Sequence, residues 1–222
     1  MPKRAKPVRS RQEHQYPPLN EEIANSITHG IGALLSIAAL VILVVMAVRT
    51  GTAWSIVSFS IYGFCLLTLY MASTLYHAFP PGRLKDFFHI LDHTSIYLLI
   101  AGTYTPVLLG PMRGPWGWSL FGVIWGFALA GMVLKIFFTG RFNILSTLFY
   151  VGMGWLIVIA VKPMLTMLPG GLVVWLVIGG LSYTLGVIFY LWHKIPYHHA
   201  IWHLFVLGGS TSHFIGIILY LT

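Results

Sequence analysis

Seven apolar stretches, each long enough to cross a bilayer as a helix, limit what this chain can fold into. They run roughly over 23–48, 54–78, 87–109, 115–138, 142–162, 171–192 and 199–221. A membrane-crossing helix needs about 20 mostly apolar residues. Seven of them with their connections leave no room for a separate soluble domain in 222 residues. Only 8% of the residues are charged, against about 25% in a soluble domain, so lipid must be the solvent for most of this chain. The expected fold class is all-α. It is a polytopic membrane protein in which a seven-transmembrane-helix bundle over 21–222 follows a basic tail over 1–20.

The punctuation between spans agrees. Gly110-Pro111-Met112-Arg113-Gly114-Pro115 breaks the chain after the third span, and Pro163 with Pro169-Gly170-Gly171 after the fifth. Around Thr139-Gly140-Arg141 the connection is so short that a tight antiparallel hairpin is implied. The single cysteine, Cys65, lies inside an apolar run, which rules out a disulfide within one chain and a Cys-based metal site. The basic stretch Lys3 to Arg11 runs into polar residues and two prolines, not into the short apolar core of a cleaved signal peptide. It reads as a flexible arm able to touch anionic lipid. The high pI of about 9.7 could point to nucleic acid. Beyond that arm, however, the charges are scattered at span ends, so no nucleic-acid partner is expected and no protein partner is evident.

Counting Lys and Arg on each side gives an orientation, because cytoplasmic loops carry the excess. With the N-terminus cytoplasmic and the C-terminus outside, the inner side holds Lys3, Arg4, Lys6, Arg9, Arg11, Arg83, Lys85, Lys135, Arg141 and Lys194, and the outer side only Arg49, Arg113 and Lys162. Opposite faces for the two termini require an odd number of spans, as seven is. Under this topology all five carboxylates (Glu13, Glu21, Glu22, Asp86, Asp92) fall on the inner side, with nine of the ten histidines. The tenth, His213, lies midway down the last span. The chemistry is expected near the cytoplasmic leaflet of a bacterial inner membrane.

Three helices deliver polar groups to that depth. Span 2 ends Ser73-Thr74-Leu75-Tyr76-His77, span 3 opens His89-Ile90-Leu91-Asp92-His93, and span 7 opens His199-Ala200-Ile201-Trp202-His203. Residues four apart share a helix face, so Ser73 pairs with His77 and His199 with His203. Glu22, Asn25, Thr28 and His29 share about one face at the inner end of span 1. Ionisable groups within spans are costly and mark function. Neutral imidazoles suit zinc, and three protein ligands plus water make a catalytic zinc site. His199 and His203 with one histidine from another helix would supply that set. In the plainer alternative, histidines near helix ends merely bond headgroups, loop carbonyls or water. His14, His193 and His198 read that way.

These motifs resemble those of the haemolysin III proteins, the bacterial branch of the progestin and adipoQ receptor superfamily. The resemblance covers about Glu21 to Thr222. It rests on Glu22-x2-Asn25-x2-Thr28-His29, Ser73-x3-His77, His89-x2-Asp92-His93, Ala101-Gly102-Thr103-Tyr104-Thr105-Pro106 and His199-x3-His203, in the family's order. It implies a seven-helix bundle with the N-terminus inside and a Zn2+ ion held by His77, His199 and His203. It also implies Asp92 as the carboxylate that reaches the metal's water and Ser73 as the serine beside it, and it leaves His29, His89 and His93 outside the ligand set.

Zinc held by neutral histidines brings the acidity of its water near neutrality. Asp92 would orient that water or take its proton, and Ser73 would hydrogen-bond the water or a substrate carbonyl. Such a site fits hydrolysis of an amide or ester, most simply in a membrane lipid entering between helices at the inner leaflet. One alternative is a closed zinc staple tying spans 2, 3 and 7 together. Another is a non-enzymatic effector that forms pores, lyses cells or regulates membrane state around a structural zinc. A receptor role rests only on eukaryotic relatives and ranks last. Gly102 and Pro106 read as packing or kink positions, Gly208-Gly209-Ser210 as a packing patch, and Trp54, Trp116 and Trp118 as outer interfacial anchors.

Overall fold

The computed structural model describes residues 16–139 and 141–222. Most of the basic arm, with Glu13 and His14, and Gly140 of the short hairpin lie outside the described residues. Among those described there are helices and turns and no strand. The elements are α1 (Leu19–Thr50), α2 (Ala53–Ala78), α3 (Arg83–Leu109), α4 (Pro115–Phe138), α5 (Asn143–Gly154), a 3-10 segment (Leu156–Ala160), α6 (Val161–Met167), α7 (Gly170–Leu191) and α8 (His198–Tyr220). Six units are long and apolar enough to cross a membrane, α5 to α6 counting as one. The seventh, α3, has 27 residues, about 40 Å at 1.5 Å per residue. Its charges and histidines hold its mean hydropathy below that of the others, because this helix carries polar groups into the interior.

The local chemistry places the helix ends. Thr52 caps α2 through a reciprocal capping box with Ser55. Pro115 opens α4, where its missing N–H costs nothing. Only residues 139–142 separate α4 from α5, as short a connection as expected there. The fifth span departs from the single helix expected over 142–162. It breaks at Gly154 and Trp155, runs on as a 3-10 segment, and continues as α6 through Pro163. Pro163, expected to end the span, sits in the first turn of α6, where its N–H would lack an intrahelical partner anyway.

Helices α1 to α4 pack successively side by side, as do α7 and α8, while α5 and α6 touch their neighbours only lightly, and α8 closes against α1. One apolar cluster, including Leu43, Tyr62, Leu69, Tyr70, Leu99 and Ile217, joins α1, α2, α3 and α8. A second, including Tyr97, Leu108, Ile124, Met153, Met164 and Leu172, joins α3 to α7. Close approach relies on small residues, as in membrane bundles generally. A Cβ on Gly102 would stand 2.7 Å from Cys65, and one on Gly209 would stand 2.7 Å from the Tyr183 ring. The packing roles expected for both glycines hold. The outer faces are the reverse of a soluble protein's, with Leu34, Phe137 and Leu145 about two-thirds or more exposed (70%, 74% and 66%). Apolar surface so extensive is compatible only with lipid around it.

Candidate metal centre

The site forms where the N-terminal ends of α1, α3 and α8 meet the C-terminal end of α2. His77, His199 and His203 each turn one ring nitrogen to a common point, and these atoms all lie within 4.8 Å of one another. The ring centroids are 5.1 Å apart for His77 and His199, 5.2 Å for His77 and His203, and 4.5 Å for His199 and His203. The i, i+4 spacing on α8 projects two imidazoles together, and α2 supplies the third from the opposite side.

Hydrogen bonds fix which nitrogen faces inward. Nδ1 of His77 lies 2.6 Å from Oε2 of Glu22, so its N–H donates to the carboxylate and Nε2 carries the lone pair. The Asn25 amide, 3.5 Å from the same Nδ1, is then a neighbour and not a donor to it. Nδ1 of His203 lies 3.1 Å from the Asn25 carbonyl and 3.1 Å from the Thr28 hydroxyl. A carbonyl only accepts, so this nitrogen carries the proton and Nε2 is again the free lone pair. Buried polar groups in a folded protein nearly always find partners. Here Nε2 of His77 and Nε2 of His199 are buried with none. Converging, unpartnered imidazole lone pairs backed by a carboxylate and a carbonyl are the donor set of a metal ion with its supporting shell. The residues therefore fit a metal.

Asp92, buried on α3, sits beside Ser73 and within the electrostatic reach of His77. Ser73 is fully buried, and its hydroxyl has no hydrogen-bond partner other than the neighbouring Asp92 carboxylate. The structure thus gathers all five residues singled out in the sequence. His89 and His93 stay outside the triad. His89 stacks on Tyr76 at 4.8 Å, and Nδ1 of His93 meets its own helix at the His89 carbonyl, 3.1 Å away.

Three further groups join the site, and two of them, Lys85 and Tyr16, carry no signal of it in the sequence. Lys85 reads there as a loop charge, yet it is buried, with Nζ 3.1 Å from Glu22 Oε1 and donating to the carbonyls of Tyr76 (2.8 Å) and Phe79 (3.1 Å). Tyr16 sits over Lys85 and donates to Asp86 at 2.8 Å. Partial burial, and then that bond, push its phenol up to about 12. His29 stacks on His203 with centroids 3.4 Å apart, and neither of its ring nitrogens has a partner. The Glu22-x2-Asn25-x2-Thr28-His29 face held the signal for His29. Nothing local marks Lys85.

The start of α8 is held by α1. Tyr197, just before it, adopts a left-handed conformation (φ 57°) unusual for a residue with a side chain. Its N–H donates to Glu21 at 3.3 Å, and its hydroxyl accepts from Asn20 at 2.8 Å. Those contacts offset the strain and set where His199 emerges.

A cavity opens beside the triad, bounded by Asp92, His199 and His203 at one end and by Trp155, Tyr183 and His213 at the other. It lies between the two apolar clusters and, counting its open mouth, encloses about 990 Å³. The walls between its ends are mostly apolar, including Leu69, Ile96, Ile100, Val187 and Val206.

Comparison with known proteins agrees with this architecture. Residues 18–214 match the family described as Haemolysin-III related. The chain is 54% identical over 202 residues to the hemolysin-3 homolog of Bacillus subtilis (strain 168), spanning 91% of this chain and 95% of that one. It is 52% identical over 202 residues to hemolysin-3 of Bacillus cereus, spanning 91% and 92%. It is 32% identical over 215 residues to the human monocyte to macrophage differentiation factor, spanning 92% and 86%. With its membrane-spanning helices and buried histidine triad, the chain belongs to the haemolysin-III related family of multi-pass membrane proteins.

Proposed function

We propose that this protein is a zinc-dependent hydrolase of a lipid amide or ester, working at the inner leaflet. One observation carries the reading. Three imidazole nitrogens converge, Asp92 and Ser73 lie side by side next to them, and Asp92, His199 and His203 line one end of a largely apolar cavity. His77, His199 and His203 would hold the ion, with Glu22 and the Asn25 carbonyl orienting two of the rings. All-nitrogen ligation with no thiolate suits zinc. When bound, zinc would supply Lewis-acid polarisation of the scissile carbonyl and make water acidic enough to react near neutral pH. Asp92 takes the proton from the attacking water and returns it to the leaving amine or alcohol. Ser73 donates its hydroxyl to the carbonyl oxygen. The apolar walls receive the acyl chain and exclude bulk water. The cytoplasmic side follows from the excess of Lys and Arg at this end of the bundle.

The competing reading is a non-enzymatic effector, cytolytic or membrane-regulating, in which zinc only ties the helices together; the names of the Bacillus relatives favour it. A sealed staple, however, has no use for an adjoining cavity. The test is release of fatty acid from a panel of amide- and ester-linked lipids by zinc-loaded protein in detergent. Turnover lost in Asp92→Asn and His203→Ala supports the hydrolase. No turnover of any lipid by fully zinc-loaded protein, with liposome leakage that persists in a His199→Ala/His203→Ala variant, overturns it.

A further inference from the structure

The cavity has a second polar end. His213 lies ten residues beyond His203 on α8, about 15 Å along the helix axis, and is nine-tenths buried. One edge of its ring presses on α7, where a Cβ on Gly179 would collide with Cδ2 and Nε2. Nε2 also lies 3.1 Å from the Leu176 carbonyl. A carbonyl accepts only, so Nε2 carries the proton and Nδ1, on the other side of the ring, is a bare acceptor. Nδ1 is buried and has no partner.

The other polar groups at this end are all occupied. Thr103 donates to Leu99, and Tyr104 donates to the carbonyls of Met153 and Gly154 at the break in the fifth span. Thr184 donates to Gly180 and accepts from Trp155, and Tyr183 is bonded to Ser210. A single acceptor is left, buried on a ring that lines a cavity whose intervening walls are apolar. A plain acyl chain would leave it unsatisfied, at a real cost in free energy. A hydroxyl on the chain would satisfy it.

We infer that His213 is a recognition site for a hydroxyl group, and that the cavity takes an acyl chain hydroxylated about a dozen carbons from its polar head, the length that spans about 15 Å. The hydroxyl donates to Nδ1 of His213, and the head group lies beside the histidine triad. This inference uses the same cavity as the proposed hydrolase but not its chemistry, since it concerns binding alone.

The test is calorimetric binding to full-length protein in detergent, using dodecanoic acid, ω-hydroxydodecanoic acid and ω-methoxydodecanoic acid. The hydroxy acid should bind about tenfold more tightly than either of the others, the effect of one hydrogen bond to an otherwise unsatisfied group. The methyl ether has the oxygen but no proton to donate, so it separates donation from mere polarity without any mutation. In His213→Leu the preference should disappear while dodecanoic acid still binds. Equal binding of all three acids by the unaltered protein would overturn the inference, leaving Nδ1 to a trapped water. So would a preference that survives in His213→Leu. Selective binding of the hydroxy acid by a protein that cleaves no amide- or ester-linked lipid would contradict the hydrolase and leave this site standing.

Discussion

Glu22 and His77, 55 residues apart in sequence, meet at 2.6 Å between Oε2 and Nδ1, and the other oxygen of the same carboxylate lies 3.1 Å from Lys85. One buried carboxylate therefore sets the tautomer of a metal ligand and neutralises a lysine. The two duties separate by substitution. Glu22→Gln keeps the shape and an acceptor for His77 but loses the charge, and metal affinity should fall about 10- to 100-fold, read by competition with a chromophoric chelator. Glu22→Ala also strands the Lys85 charge and should cost about 3–5 kcal/mol of stability, read by thermal unfolding in detergent. Adding Lys85→Met to Glu22→Ala should recover much of that loss.

Removing a ligand tests the triad directly. His77→Ala, His199→Ala and His203→Ala should each reduce bound metal from about one per chain to a small fraction, measured by elemental analysis of purified protein. His89→Ala should leave it unchanged, because that ring stacks on Tyr76 away from the convergence point.

Protons compete with metal at all three imidazoles. The ligating form is neutral, and free histidine titrates near pH 6.5. Affinity should therefore fall as the pH is lowered, more steeply than a single histidine allows. A chelator titration at several pH values measures the slope. Affinity that does not fall at any acid pH at which the protein stays folded would mean that histidines are not the ligands.

Packing between α7 and α8 depends on Gly179, where a side chain would strike the His213 ring and would come within 3.0 Å of the Gly209 carbonyl oxygen. Gly179→Ala should cost about 1–3 kcal/mol, as overpacking a close contact does. Gly126, where a Cβ meets nothing, should accept alanine with no measurable change in thermal unfolding.

Apolar length and charge placement made α1, α2, α4, α7 and α8 readable, because lipid imposes both on every span. The fifth span is found where the sequence puts it, but its internal break was not legible, for a tertiary reason. Its break at Gly154 has no proline, and it is stabilised by Tyr104 on α3, whose hydroxyl bonds the freed carbonyls of Met153 and Gly154 and accepts from the Ile157 N–H. No local pattern carries that contact. Likewise, the spacing of His199 and His203 announced a shared face, but only assembly of the bundle brings His77 to it and leaves His93 aside. Lys85 is the clearest case. A lysine at the inner end of a span reads as a topology signal, and its burial becomes visible only when Glu22 is folded against it.

X-ray absorption at the zinc edge of the purified, zinc-loaded protein tests the central claim most directly. The expected spectrum shows three imidazole nitrogens at about 2.0–2.1 Å and one exchangeable oxygen neighbour. It should lose an imidazole contribution in His77→Ala. A shell closed by four protein ligands would contradict a reactive centre, and failure of the protein to hold stoichiometric zinc would contradict the metal site itself.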